Sequence, residues 1–263
     1  MNAVTLSEKM IWVKRSIAVV LVLAAWSFCS VAGLVNDYLL PAPWKIADLA
    51  WKMICDGTLL KHVWISLYRV FLGFGITLGL AFPLAAVVGL NKIFFELLET
   101  PLEFVRHVPP LATTPLLILW LGIGESSKLA VIVLATFFPI FLNTVNGVSQ
   151  CDKKLLEVGR VLGLRPFERI VRIILPSALP VIIVGLRLGF GYSWRALIGA
   201  ELLAAAAGLG YMIIEAEALA RPDIVLVGII SIGTLGHLLD SSFLRLSRKL
   251  IPWHEMESDY GRY

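Results

Sequence analysis

The sequence predicts an all-α, polytopic membrane protein with about six transmembrane helices and both termini in the cytoplasm. Three observations carry this expectation. Of 263 residues, 58% are hydrophobic and 16% charged, whereas a soluble domain is about 45–50% apolar and about 25% charged. Apolar runs of about 20 residues, the length that crosses a hydrocarbon core of about 30 Å at about 1.5 Å per residue, recur along the whole chain. Lys and Arg concentrate in alternate segments between those runs. With a mean hydropathy of +0.84, the composition excludes a soluble enzyme, a disordered chain and a nucleic-acid-binding domain. No polar block is long enough for a second, water-soluble domain, so residues 1–263 read as one transmembrane domain.

The six expected spans are 16–35, 66–90, 105–121, 129–148, 178–199 and 224–244. The first follows Lys14 and Arg15 and precedes Ser30-Val31-Ala32, a small-x-small pattern, so a cleaved signal peptide is the competing reading. Its apolar stretch is longer than a usual signal core, and either reading leaves 36–65 outside. That segment is too polar to span; Pro41, Pro43, Trp44 and Trp51 suit a short amphipathic piece at the outer interface, where an indole ring is apolar and its N–H wet. The third span is short and follows Pro109-Pro110, which predicts a tilted or broken helix. With the N-terminus inside, segments 1–15, 91–106, 149–177 and 245–263 hold 15 basic residues, and the outer segments 36–65, 122–128 and 200–223 hold 5. This positive-inside bias sets the orientation and accounts for the net charge of +4.

Cys29, Cys55 and Cys151 are odd in number and widely spaced, and His62, His107, His237 and His254 are scattered. They predict no disulfide framework, no metal site and no catalytic cluster. There is no internal repeat, which weighs against a secondary transporter. No Gly-x4-Gly-Lys-Ser/Thr loop is present to cradle ATP.

The most informative segment is 152–176, DKKLLEVGRVLGLRPFERIVRIILP, between the fourth and fifth spans. It is long, basic and amphipathic. Gly163 interrupts it, and Pro166 suits the first turn of a second helix. The reading is helix, turn, helix on the inner face, either resting on anionic lipid or serving as a docking site.

The spacing of Glu157, Gly163, Ile173, Leu175 and Pro176 resembles the EAA loop of permease subunits in ATP-binding-cassette importers, Glu-Ala-Ala-x3-Gly-x9-Ile-x-Leu-Pro. Val158 and Gly159 stand in place of the paired alanines. SLYRVFLGFGITLGL from Ser66, RHVPPLATTPLLILWLGIGESSK from Arg106, FFPIFLNTVNGV from Phe137 and GLRLGFGYSWRALIGAELLAA from Gly185 look like the subgroup that contains permeases for taurine, aliphatic sulfonates, nitrate and bicarbonate. The C-terminal PWHE from Pro252 is similar to the taurine type.

The resemblance implies a type I importer permease fold with its core at 59–250 and a cytoplasmic coupling loop at 152–176. It implies that Glu157, Val158, Gly159, Gly163, Leu164, Arg165, Pro166 and Phe167 form the ATPase-coupling surface. The implied assembly is two copies of the chain, two ATPase subunits that bind ATP and Mg, and one extracytoplasmic binding protein. It sits in lipid at the bacterial inner membrane and has no nucleic-acid partner. The implied cargo is a small anion, a sulfonate such as taurine or an alkanesulfonate, with nitrate, bicarbonate or another small solute as alternatives.

Ionisable residues inside spans are costly, and they mark a pathway or a pairing. Arg69 lies near the outer end of the second span, Arg187 inside the fifth, and Arg195 eight residues on, about 80° around the helix from Arg187. Arg187, Arg195, Glu201 and Arg69 are the candidate pathway residues. Two readings stand: an anion route, or structural pairing, for example Arg195 with Glu201. Gly75-x3-Gly79 and Gly185-x3-Gly189 predict close helix packing. Gly208 and Gly210 predict a hinge before an outer re-entrant or interfacial helix, acting as a gate or a binding-protein contact.

Overall fold

A computed structural model describes residues 2–252, without the side chains of residues 2–16 and 92. Trp253, His254 and Glu255 of the PWHE segment therefore lie outside the described residues. Every regular element among the described residues is helical.

Residues 1–62 and 212–231 group as one compact unit. In it, α1 (Asn2–Val31) carries the apolar stretch Ile17–Val31. The helix stops at Val31, short of the expected residue 35, because Gly33 takes a left-handed φ of +65° and the Leu34 N–H closes onto the Cys29 carbonyl. Helix α2 (Pro43–Cys55) starts on a proline, which lacks an N–H the first turn does not need. It buries Ile46 and exposes Trp44 and Trp51, the arrangement expected of an interfacial helix. Tyr38 Oη donates to the Ala220 carbonyl at 2.6 Å.

The other unit comprises 63–211 and the chain from 232. Helix α3 (Thr58–Leu90) starts before the expected residue 66, since Asp56 accepts from the Thr58 N–H at 2.9 Å and caps it earlier. Its 33 residues measure about 50 Å, more than a hydrocarbon core needs. Helix α4 (Lys92–Arg106) is capped by Asn91. A 3-10 turn at Pro110–Thr113 leads into α5 (Thr114–Leu121). The expected third span, 105–121, covers the 3-10 turn and α5 but only the end of α4; α4, expected within an inner segment, joins them as a helix pair bent by 81°. Pro109 and Pro110 disfavour helical backbone in the residues before them and remove two N–H donors, so the helix breaks there.

Helix α6 (Glu125–Ser149) lies against α9 (Leu175–Ala204). Glycine makes the approach close: a Cβ on Gly185 would meet Asn143 Cβ at 2.4 Å, and one on Gly189 would meet Ile140 Cγ1 at 2.7 Å. Thr77 and Thr136 share a hydrogen bond of 2.6 Å between α3 and α6, the polar glue that membrane helices use in place of hydrophobic drive. Gly73, not the expected Gly75 and Gly79, meets α6: its Cβ would lie 2.7 Å from Ile132, whereas those at 75 and 79 would meet nothing within 4 Å. The Gly75-x3-Gly79 face therefore packs against no neighbour among the described residues.

Four short or long helices complete the chain: α7 (Lys153–Val161), α8 (Pro166–Arg169), α10 (Leu209–Ala218) and α11 (Pro222–Leu250). A π turn at Ile170–Ile174 joins α8 to α9 without a break. Pro176 has no N–H to give the Arg172 carbonyl, and its ring crowds that oxygen; the wider turn relieves both. By length and hydropathy α3, α6, the run containing α9, and α11 are each long enough to cross a membrane, and the bent pair, counted as one span, is a fifth.

Candidate functional site

Segment 152–176 folds as a two-helix knob. Asp152 caps α7, its carboxylate accepting from the Lys154 N–H at 2.9 Å. Gly163 ends α7 at φ +71°, with its N–H on the Arg160 carbonyl and the Leu164 N–H on the Gly159 carbonyl, each at 3.0 Å. Glu168 accepts from the Arg165 N–H at 2.8 Å, and Pro166 occupies the first turn of α8. Gly159 is buried against the second arm: a Cβ there would sit 2.6 Å from Ile173 Cδ1. A methyl at 159 would require the Ile173 side chain to shift, so glycine lets the two arms meet without that adjustment. Val158 points away from that contact and is 54% exposed, so its bulk meets no obstacle in the loop. Glu157 is also exposed. Val158, Val161, Leu162 and Phe167 leave a contiguous stretch of sequence with large apolar side chains in solvent, Val161 at 88% and Phe167 at 73% exposed. Apolar surface gathered on a connecting loop marks a contact with protein or with membrane.

A second cluster sits where α3, α6, α9 and α10 end or begin. The Arg69 guanidinium binds Glu125 through Nε and Nη2, both at 2.6 Å, and Glu201 through Nη1 at 2.6 Å. Nη1 also donates to the Ala207 carbonyl at 2.6 Å. Glu201 is 1% exposed and Arg69 3%. Glu201 accepts further from Ser66 Oγ at 2.9 Å and the Gly210 N–H at 3.0 Å. Lys128 Nζ reaches Glu125 at 3.0 Å. Two cations and two carboxylates cancel, and every oxygen of Glu201 is engaged, which is what a buried ion pair requires. The Gly208-Leu209-Gly210 turn wraps the carboxylate. Gly208 adopts φ +118°, and a Cβ there would fall 2.2 Å from Glu201 Oε1. The two glycines expected at a hinge are packed against this carboxylate.

The structure corrects the pairing considered for Glu201: its partner is Arg69, not Arg195. Six residues along a helix rotate a side chain to about 120° away and carry it about 9 Å along the axis, so Arg195 and Glu201 leave α9 on different faces. Arg187 has its own carboxylate. Its Nε and Nη2 bind Asp240 of α11 at 3.0 and 3.1 Å. Sequence reasoning passed over Asp240, although a lone acid inside the sixth expected span is a signal that some cation faces it. Arg195 is exposed, with its guanidinium 5.6 Å from the Tyr192 ring centroid, and its charge also reaches Asp240. It lines a cavity of about 560 Å³ beside the break in the bent pair.

A charge that loses its partner inside a membrane helix costs up to about 3 kcal/mol, and less for Asp240, whose side chain is half exposed and also faces Arg195. Arg187→Met is accordingly expected to lower the yield of folded protein several-fold, and Arg187→Met combined with Asp240→Leu to restore most of it. Size-exclusion chromatography of detergent-extracted protein checks this; a double variant no better than the single one shows that the ion pair is not what holds α9 to α11.

Comparison with known proteins places these features in a family. Residues 75–252 match the family described as the binding-protein-dependent transport system inner membrane component. A Bacillus subtilis protein named as an aliphatic sulfonates transport permease is 39% identical over 242 residues, covering 92% of this chain and 88% of that one. The taurine transport system permease protein of Escherichia coli is 34% identical over 237 residues, covering 88% and 86%. The fold is similar to a chain of the inward-facing MetNI methionine ABC transporter, with a TM-score of 0.63 at 17% identity, over 73% of this chain and 95% of that one. The chain belongs to the binding-protein-dependent inner membrane components: it is a multi-pass permease subunit of an ATP-binding-cassette importer for small solutes.

Proposed function

We propose that this permease forms the translocation path for a small organic sulfonate, taurine or an alkanesulfonate, driven by a separate ATPase that docks on the knob at 152–176. The observation that carries the reading is the knob itself: a loop fixed by two caps and a glycine contact, presenting Val158, Val161, Leu162 and Phe167 to solvent. A lipid-resting helix has no need of so defined a turn. Glu157, Leu164 and Arg165 frame that surface. With no phosphate-binding loop in this sequence, ATP and Mg are held by the partner, and closure of two ATPases draws two permease knobs together. A second copy of the chain completes the path, and a binding protein outside the membrane delivers the cargo.

The names of the sulfonate and taurine relatives support the choice of cargo, and the cavity beside Arg195 supports an anion. Arg69 and Glu201 are read here as the pin that fixes helix ends, with their hydrogen-bonding capacity already used, rather than as groups that touch cargo.

The test is reconstitution with the cognate ATPase and binding protein in proteoliposomes. ATP-dependent uptake of taurine or an alkanesulfonate is expected, with nitrate and bicarbonate taken up poorly and no ATP hydrolysis by the permease alone. Preferred uptake of an inorganic anion overturns the cargo; uptake without any ATPase overturns the mechanism.

A further inference from the structure

The break in the third span has a wall of unusual composition. Helix α4 ends at Arg106, and the chain then passes Pro109-Pro110 before α5. Leu98 and Leu102 of α4 pack against the core cluster formed by Ala81, Ala85 and Val88 of α3 with Ile140, Phe141 and Val145 of α6, in the later halves of both helices. Leu117 of α5 packs on Val131 and Ala200, toward the opposite end. The break therefore falls between the two ends of the bundle. A discontinuous helix at such a depth is tolerated only where it is buried in protein or lines a cavity.

Here it lines the cavity of about 560 Å³. Leu134, Phe138, Leu142 and Leu188 supply an apolar wall, and Arg106 and Arg195 stand on it from two different helices. No Asp or Glu lines it among the described residues. The contrast with Arg69 and Arg187 decides the matter. Arg69 and Arg187 are each clasped by a carboxylate through two nitrogens. The nearest carboxylate of Arg106 is Glu103 on its own helix, at 4.0 Å, and Arg195 lies over Tyr192, with Asp240 in range of its charge but already held by two nitrogens of Arg187. A guanidinium at the edge of an apolar concavity suits an oxyanion, because its fork of donors matches two oxygens at once.

We propose that Arg106 and Arg195 form a transient site for the head group of an organic sulfonate, its short hydrocarbon tail lying against the apolar wall from α6 and α9. The assignment rests on the anion-permease reading above and goes beyond it by naming the residues and the shape of the ligand. A cation pair alone would take nitrate or sulfate as readily. The apolar wall adds favourable burial for each methylene of a tail and leaves a fully hydrated inorganic anion without a partner. Binding is weak by construction, since both arginines stay exposed and the cargo must leave.

The reconstituted complex tests this in two ways. Uptake is compared for methanesulfonate, butanesulfonate and inorganic sulfate, normalised to assembled complex. The parental complex is expected to favour butanesulfonate, and Arg106→Gln and Arg195→Gln each to slow sulfonate uptake by about tenfold while the affinity of the binding protein is unchanged. If the parental complex takes up no sulfonate, the anion-permease reading fails; if it does and both variants match it, the site fails. A second measurement does not depend on turnover. In a chain with Cys29, Cys55 and Cys151 replaced by serine, Leu188→Cys is labelled with a methanethiosulfonate reagent bearing an ethylsulfonate tail or with its trimethylammonium counterpart. With each rate expressed relative to that reagent's rate with a free small thiol, the sulfonate reagent is expected to react about tenfold faster. That preference should vanish in the Arg106→Gln, Arg195→Gln background. Equal labelling rates before those substitutions overturn the proposal even where a Gln variant assembles poorly.

Discussion

Gly163→Val is expected to reduce ATP-driven uptake to near background while the binding protein still takes up its ligand normally. The reason is confined to the backbone. Gly163 holds φ +71°, and a Cβ there would meet nothing within 4 Å, so no packing contact is at stake. A left-handed conformation costs an L-residue about 1–2 kcal/mol, and a β-branched side chain stands at the upper end. The equilibrium constant for closing the turn would then fall roughly tenfold or more, since 1.4 kcal/mol is a factor of ten. Losing it releases the Leu164 N–H from the Gly159 carbonyl and parts the two arms of the knob. Gly163→Asn is the control, because asparagine tolerates the left-handed region; it should retain much of the uptake. Parental uptake by the valine variant, measured in proteoliposomes with equal amounts of assembled complex, would show that the turn does not transmit the ATPase stroke.

The second large effect is expected at Glu201. Glu201→Leu leaves Arg69 with one carboxylate in place of two and strips partners from Ser66 and the Gly210 N–H. Removing one member of a buried ion pair costs about 3–5 kcal/mol, a large share of the stability of any domain. The variant should fail to accumulate as folded protein, and what is recovered should melt well below the parental protein in detergent. Gly208→Ala should have the same direction of effect by a different route, since its methyl would enter the space of the Glu201 carboxylate. A Glu201→Leu protein with parental yield and melting temperature would show that the cluster carries no structural weight.

These two sites differ in how far the sequence reveals them. The knob is nearly all local: a capping aspartate, a glycine at the turn and a proline at the next first turn are readable from order alone, and the structure repeats them. What order does not show is the reason for Gly159, which depends on Ile173 across the turn, or that α8 runs through a wide turn into α9. The Glu201 cluster is non-local. Arg69 and Glu201 are 132 residues apart, so nothing in spacing pairs them, and the nearer Arg195 attracts the assignment until helical phase is considered. Arg187 and Asp240 pose the same difficulty across 53 residues, although helix polarity restricts the choice once both are placed inside spans. The broken third span was legible from Pro109-Pro110. The side of the break on which Arg106 would stand was not, because an 81° bend redirects everything before it.

The unbroken path from α8 through the π turn into α9 has a mechanical consequence. From Pro166 to Arg195 the chain is helical throughout, about 30 residues or roughly 45 Å. A rod of that length pivoting by about 10° near its middle swings each tip by about 4 Å in opposite directions. The knob rides on one tip, clamped there by the Gly159–Ile173 contact, and Arg195 stands on the other. Such a lever needs no chain of side-chain adjustments to carry a push across the bilayer: the stiffness of one helix sets both the stroke and its timing, and softening it anywhere along its length would blunt the motion at Arg195 without altering a single residue around the cargo.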